Sequence, residues 1–411
     1  MTLSHRPLRI AILGKSNHIG GGASKVSELM LESLIGLGHS VDRFTVHKPP
    51  TDPGGRSLFG PKLSRATWLI HSGCRRLFGG EFLPVELPAL RDWPSQYDIV
   101  HVNDHFVSVS PWTIAWLADR IPTVLTLNDS SYFTGGCLYP YECVRFEIGC
   151  GQCPQQGSMR MPVDVTRPSL LLKKSLLRER KIALLAPSQW MADQAALSLV
   201  IPERPEVLPY GIRRHIFHPG RRKAAREKFG LGADEKVVLI GASSLADTRK
   251  GVPFAVEAVN LLPEPRPTVL LLGHAAESLK RILRTRSIDV GFLEVEEDLA
   301  DVYAAADLFA FPSLADNLPL SVIESLACGT PVICFDRGGT PELIRSARDG
   351  EVLTEVSASS LANAMTNWLQ HLPASDEQRQ SIADATDTYS LERQGRDLIA
   401  VYERMLHARN R

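Results

Sequence analysis

The chain has no excess of either charge: 46 Lys and Arg balance 46 Asp and Glu over 411 residues. This excludes the strong overall field that gathers a protein onto nucleic acid or a highly acidic partner. No apolar run approaches the roughly 18–20 residues needed to span a bilayer. The opening MTLSHRPLRIAILGK has too short an apolar stretch for a secretory signal and runs straight into a strand. The expectation is a cytoplasmic protein, at most peripheral at the inner face of the membrane. Two phosphate-binding fingerprints are also missing. GKS at Gly14 to Ser16 would need a glycine five positions earlier, where Arg9 stands, and Gly20, Gly21 and Gly22 do not fit G-x-G-x-x-G. A P-loop is excluded, and a dinucleotide oxidoreductase keeps only weak support. Cysteine is scarce, seven in all, yet four of them fall between Cys137 and Cys153. In a cytosolic chain such crowding suggests metal before disulfides.

What is present is an alternation of short apolar strands and amphipathic helices, the pattern of parallel α/β sheets. The length allows two or three domains with cores of their own. Leu8 to Leu13 reads as a first strand. Gly20 to Gly22 open a helix closed by Gly38, and Val41 to Val46 complete the first βαβ unit. Glycines ahead of a helix permit close backbone approach to a ligand, although a flexible turn would look the same. Asp98 to His105 and Pro122 to Asp129 are strands that end in polar residues, where an open sheet presents its ligands. His101, Asp104 and His105 carry metal-ligand chemistry, but histidines at strand ends are more often satisfied by hydrogen bonds. The second series begins at KVVLIGASS, and Lys250-Gly251 marks its first loop-to-helix junction. A cation beside helix N–H groups can meet a diphosphate there; two exposed basic residues in a turn is the bland alternative. Further on, backbone groups near Phe292 and Leu293 could read a nucleotide base.

The segment KLSRATWLIHSGCRRLFGG interleaves Lys62, Arg65, Arg75 and Arg76 with Trp68, Leu69, Ile70, Leu77 and Phe78. Such a helix can lie on an anionic membrane or grip a lipid-linked acceptor, or it can pack its apolar side on the domain. The cysteines follow C-x5-C-x6-C-x2-C, that is Cys137, Cys143, Cys150 and Cys153. Four thiolates would close a tetrahedral Zn²⁺ site with no open position, hence a structural one. Free or oxidised thiols are the main alternative, and an iron–sulfur cluster a lesser one.

The most informative stretch is Ala306 to Ile344, ADLFAFPSLADNLPLSVIESLACGTPVICFDRGGTPELI. It reads as a buried strand (Leu308 to Phe311), a polar loop, a helix beginning near Pro319 and capped at Gly329, a strand (Pro331 to Phe335), and a turn at Gly338-Gly339. Asp316 lies in the loop and Glu324 in the helix, flanking N–H groups of Leu318 to Ser321 that favour an anion. Acids beside an anion-friendly helix start suit a ligand bearing both hydroxyls and phosphates.

An acid, seven residues, Glu, then ACGTPVI and GG-x-PE resembles the signature of the retaining glycosyltransferases of family 4. The loop TGGC…CGxCP resembles a narrower subgroup of bacterial exopolysaccharide enzymes of the colanic-acid type. The resemblance implies the GT-B architecture: two doubly wound, Rossmann-like α/β domains facing across a cleft. The domains expected are 1–210 on the acceptor side, with a cysteine-rich loop at 134–157, and 211–390 for the nucleotide sugar. Residues 391–411 would form a helix crossing back to the first domain. The resemblance implies transfer of a sugar from a nucleotide-diphosphate sugar to a saccharide or lipid-linked acceptor, in cell-surface polysaccharide or glycoconjugate synthesis. No cofactor is required for catalysis. Lys250, Arg249, Asp316 and Asp129 are the expected catalytic residues. Gly21, Gly22, Asn128, Asn317, Leu318, Pro319, Leu320 and Glu324 are the expected binding residues. Asp316 would hold a sugar hydroxyl and Glu324 the ribose. The sequence departs from the family pattern at Asp316, Asn128 and Leu245. A GT-B epimerase and a non-catalytic sugar-nucleotide-binding protein are the other readings.

Overall fold

A computed structural model describes residues 6–16, 21–47, 55–78, 80–157, 163–373 and 375–409. Gly20 of the glycine loop lies outside them. The chain divides into two compact units, Met1–Gly211 with Leu391–Arg411, and Ile212–Ser390.

The first unit is built on a seven-stranded sheet. Its strands are β1 (Arg9–Gly14), β2 (Ser40–Thr45), β3 (Gly55–Ser57), β4 (Ile99–Val102), β5 (Thr123–Thr126), β6 (Ile182–Ala186) and β7 (Glu206–Val207). All pair in parallel, in the order β3-β2-β1-β4-β5-β6-β7. β4 and β5 are buried along their whole length, because helices cover both faces of a parallel sheet. The C-terminal helix Leu391–Arg409 belongs to this unit and buries Leu398, Val401 and Tyr402. Tyr402 reaches Nδ1 of His101 in β4 at 2.7 Å. Arg393 donates to the carbonyl of Pro209 at 2.7 Å and fastens the start of the same helix.

The second unit holds β8 (Val237–Ser244), β9 (Thr268–His274), β10 (Ser287–Gly291), β11 (Leu308–Phe311), β12 (Val332–Phe335) and β13 (Gly350–Leu353). Their order is β10-β9-β8-β11-β12-β13, again all parallel. The core gathers Val238, Ile240, Leu308, Ala310, Ile333 and Phe335 from the sheet with Val252, Val256, Leu361 and Met365 from helices.

Each sheet reverses its strand order at one point, between β1 and β4 in the first unit and between β8 and β11 in the second. Helices leave to opposite faces there, so a crevice opens at the carboxyl edge, which is where open α/β sheets bind ligands. The register Leu308↔Val238 to Ala310↔Ile240 brings the ends of β8 and β11 side by side.

Candidate active site

In the second unit the loops leaving β8 and β11 meet around one carboxylate. Asp316 accepts from Nζ of Lys250 through both oxygens, at 3.0 and 2.9 Å, and from Nη1 of Arg249 at 3.0 Å. The hydroxyl of Ser313 donates to the same carboxylate. Burial opposes ionisation of Asp316, but Lys250 and Arg249 outweigh it and hold the carboxyl below its ordinary range. Arg249 also donates to the carbonyl of Ala315 at 2.7 Å and to Asp247 at 3.1 Å. Among the described residues the hydrogen bonds of Lys250 Nζ go to Asp316 alone, and the ammonium lies 5.5 Å from the centre of the Phe311 ring.

Two glycines let these loops close. Gly251 has φ +63°, and a Cβ on it would fall 1.9 Å from the carbonyl oxygen of Pro312. Gly338 has φ +68°, and its Cβ would fall 2.0 Å from the carbonyl oxygen of Asp316. That oxygen accepts from the Gly339 amide at 2.9 Å, so the paired-glycine turn after β12 presses directly on the Asp316 loop.

The next helix, Leu320–Ala327, begins after Pro319, whose ring supplies no capping hydrogen bond. The Val322 amide turns back to the Pro319 carbonyl at 3.1 Å, and N–H groups at a helix start of this kind favour an anion. Asn317, Leu318 and Pro319 are buried, whereas Leu320 and Ser321 are half-buried. Glu324 is buried one turn further on, and the Tyr303 hydroxyl donates to it, which fixes the carboxylate's orientation. Nothing in the spacing of residues 303 and 324 announces that contact. Phe292 follows β10 and stacks on His274, with ring centres 4.5 Å apart and planes at 12°.

The first unit gathers a second group of expected residues at its own switch point. Gly21 has φ +106° and precedes the helix Gly22–Gly36, and no atom of the described residues lies within 4 Å of a Cβ built on Gly21 or Gly22. The Asn128 amide is committed: it donates to the Asn103 carbonyl and accepts from the Tyr210 hydroxyl. Asp129 accepts from the Ser131 amide at 2.7 Å and caps a short 3-10 turn. Asp104 is buried close by, and burial, aided by Asp129 and Glu81 and opposed by Lys15, pushes its carboxyl up to about 7. Sequence reasoning weighed Asp104 only as a metal ligand and missed this.

His101 is satisfied by Tyr402 and by the Thr126 hydroxyl at 2.8 Å, and burial drives its pKa down to about 3. His105 meets the Ser131 hydroxyl at 3.0 Å. Cys137, Cys143, Cys150 and Cys153 all carry free thiols and line one cavity of about 20 Å³, where the Gly135 amide donates to Sγ of Cys150 at 3.3 Å. Among the described residues, however, no three His, Cys, Asp or Glu side chains are gathered so as to hold a metal ion. The thiols fit zinc by chemistry and neighbourhood but not by their present arrangement. A separate cavity of about 640 Å³, lined by Arg348, Trp368, His371 and Glu377, contains none of the expected residues.

Two doubly wound parallel sheets, each with a ligand-facing switch point, define a protein of the GT-B fold. Solved structures agree. The Thermosynechococcus elongatus sucrose-phosphate synthase superposes with TM-score 0.70 at 20% identity, over 98% of this chain and 100% of that one. WaaG, a glycosyltransferase involved in lipopolysaccharide biosynthesis, gives 0.66 at 18% identity over 95% and 99%. Anabaena HepE in complex with UDP-glucose gives 0.66 at 16% identity over 96% and 99%. Residues 21–211 match the family described as "Glycosyl transferase 4-like domain", and residues 235–371 match "Glycosyl transferases group 1". The chain belongs to the group 1 glycosyltransferases, family 4. Among curated relatives, the D-inositol 3-phosphate glycosyltransferase of Mycobacteroides abscessus is 33% identical over 41% of this chain, and that of Mycolicibacterium smegmatis 29% over 68%. These matches span 40% and 62% of the relatives' own lengths.

Proposed function

We propose that the chain transfers a sugar, with retention, from a nucleotide-diphosphate sugar to a saccharide or lipid-linked acceptor in surface-glycan or glycoconjugate synthesis. The observation that carries this reading is the pairing of Lys250 and Arg249 on the carboxylate of Asp316, at the β8/β11 switch point and beside the start of the helix Leu320–Ala327. Arg249 also meets Asp247, so two carboxylates balance the two cations, and the greater charge of a diphosphate would draw the cations toward itself. In the transfer the bond between the anomeric carbon and the diphosphate oxygen breaks, and a bond to the acceptor oxygen forms on the same face. The acceptor's proton passes to the departing diphosphate. Negative charge grows on that leaving group, and Lys250, Arg249 and the Leu320 end of the helix meet it. Asp316 keeps both cations in position and is the group nearest them for a sugar hydroxyl. Glu324, oriented by Tyr303, takes the ribose hydroxyls. On the acceptor side, Gly21, Gly22 and Asp129 are the proposed contacts, with Asn128 holding the loop through Tyr210.

The UDP-glucose held by HepE supports a nucleotide sugar as donor, and the name of the curated relatives supports a hydroxyl-rich, phosphate-bearing acceptor. A panel of nucleotide sugars offered with membrane lipid extract should release nucleoside diphosphate and yield a glycosylated product. Turnover undiminished in both Glu324→Ala and Lys250→Ala would show that the site is elsewhere.

A further inference from the structure

Residues 131–136 lead from the acceptor-side Asp129 into the cysteine loop, and side chains hold their backbone. Lys173 Nζ donates to the carbonyls of Ser131 at 2.6 Å and Thr134 at 2.9 Å. The Ser198 hydroxyl donates to the Phe133 carbonyl at 2.5 Å, and Arg75 donates to the Gly136 carbonyl. These side chains come from the helices Pro61–Phe78 and Thr166–Leu177 and from the turn after the helix Gln189–Ala196. Gly135 lets the segment close on the second helix, since a Cβ there would stand 2.5 Å from the Thr166 carbonyl oxygen.

Lys173 is the costly member of this set. It is 4% exposed, and a lysine is seldom buried so fully without partners. Glu81, also buried, offsets its charge and accepts from Arg75 at 3.1 Å and from the Val107 amide at 2.9 Å. A methionine would fill the same volume without desolvating a charge, so packing alone does not call for an ammonium. What the ammonium adds is direction. Ser131, whose carbonyl it holds, also donates its amide to Oδ1 of Asp129 at 2.7 Å, and its hydroxyl meets His105 at 3.0 Å. The contacts thus run from Lys173 through Ser131 to the Asp129 carboxylate, just past the carboxyl end of β5.

We infer that Lys173 is a positioning residue for glycosyl transfer: with its own ammonium enclosed, it fixes Ser131 and, through the Ser131 amide, aims Asp129 at the acceptor. The inference rests on the proposed contact of Asp129 with the acceptor. Donor binding is not involved, because Lys250, Arg249, Asp316 and Glu324 belong to the other unit.

The test uses Lys173→Met in the full chain, assayed with the nucleotide sugar that supports transfer and graded amounts of membrane lipid extract. The half-saturating amount of extract should rise about tenfold or more, while KM for the nucleotide sugar stays at the wild-type value. Placed on Asp129→Ala, Lys173→Met should cost little further, because the interaction it serves is already gone. Backbone amides of 130–136 should exchange faster in Lys173→Met, with β4 and β5 unchanged. If Lys173→Met does not fold, Lys173→Arg, which keeps the charge but not the compact shape of the donor, should show the same split between acceptor and donor. An unchanged half-saturating amount, an equal rise in KM for the nucleotide sugar, or an undiminished further loss on Asp129→Ala would each overturn the inference. So would unchanged exchange at 130–136, a readout that needs no transfer at all. A wild type that transfers from no nucleotide sugar would instead sink the functional reading, and the exchange measurement would still decide whether Lys173 holds the loop.

Discussion

Strand β11 has an aspartate at each end, and the two are used in opposite ways. Asp307, just before the strand, is ringed by Arg222, Arg226 and Arg379 and accepts from the Val237 amide at 2.9 Å. Those arginines also bond backbone: Arg222 to the Ala306 carbonyl at 2.9 Å, Arg226 to that of Ala305 at 2.9 Å, Arg379 to that of Gly329 at 3.2 Å. Asp316, in the loop after the strand, holds two cations, one of which, Lys250, donates to no other group among the described residues. The first cluster lies away from the ligand edge and joins a helix, a strand and a distant helix into one unit, although Nε of Arg226 is buried without a partner. The second stands at the edge of the sheet where ligands bind. A charge cluster that ties elements together reads as architecture, and one at a switch point reads as chemistry.

Breaking each cluster separates the two roles. Asp307→Ala strands three buried or half-buried guanidiniums, and denaturant unfolding should show a loss of about 3–5 kcal/mol. Lys250→Ala should lower kcat by about 10²–10³-fold, the scale of losing one transition-state donor, with a melting temperature close to wild type. Tyr303→Phe removes the donor that orients Glu324; KM for the nucleotide sugar should rise several-fold, equivalent to about 1 kcal/mol, with kcat little changed.

Two aspartates with opposite shifts sharpen the contrast further. Asp316 has a depressed pKa, so its contribution to stability is present above the ordinary carboxylate value of about 4 and is lost as pH falls through the folded value. The gap in melting temperature between wild type and Asp316→Asn should narrow below about pH 4. Asp104 is raised to about 7, so it costs stability once ionised. Asp104→Asn should be more stable than wild type at alkaline pH, by on the order of 1 kcal/mol, and the advantage should vanish as pH drops toward 4.

Much of this was legible in the sequence where the signal is local. Leu308 to Phe311 is a strand with the expected bounds, and Gly329 takes the left-handed cap (φ +75°). The loops after β8 and β11 bring Lys250, Arg249 and Asp316 together. Partnerships across long separations were not legible. Asp307 meets Arg222, Arg226 and Arg379 across 72 to 85 positions, and Tyr303 finds Glu324 from another helix. Asn128 reads as a polar strand-end residue, and Tyr210, 82 residues away, holds it. Periodicity also gave the helix 61–78 its amphipathic character but not its direction, because only the packed structure shows which stripe faces inward.

The central claim is that the Asp316–Lys250–Arg249 cluster is the diphosphate site. The most direct measurement is the melting shift produced by saturating nucleoside diphosphates in wild type, Lys250→Ala and Asp129→Ala. A ligand bound at 100 times its Kd stabilises by about 2.7 kcal/mol. The account predicts that at least one nucleoside diphosphate raises the melting temperature of wild type and of Asp129→Ala, and that Lys250→Ala loses most of that shift. An equal shift in Lys250→Ala and wild type would contradict it.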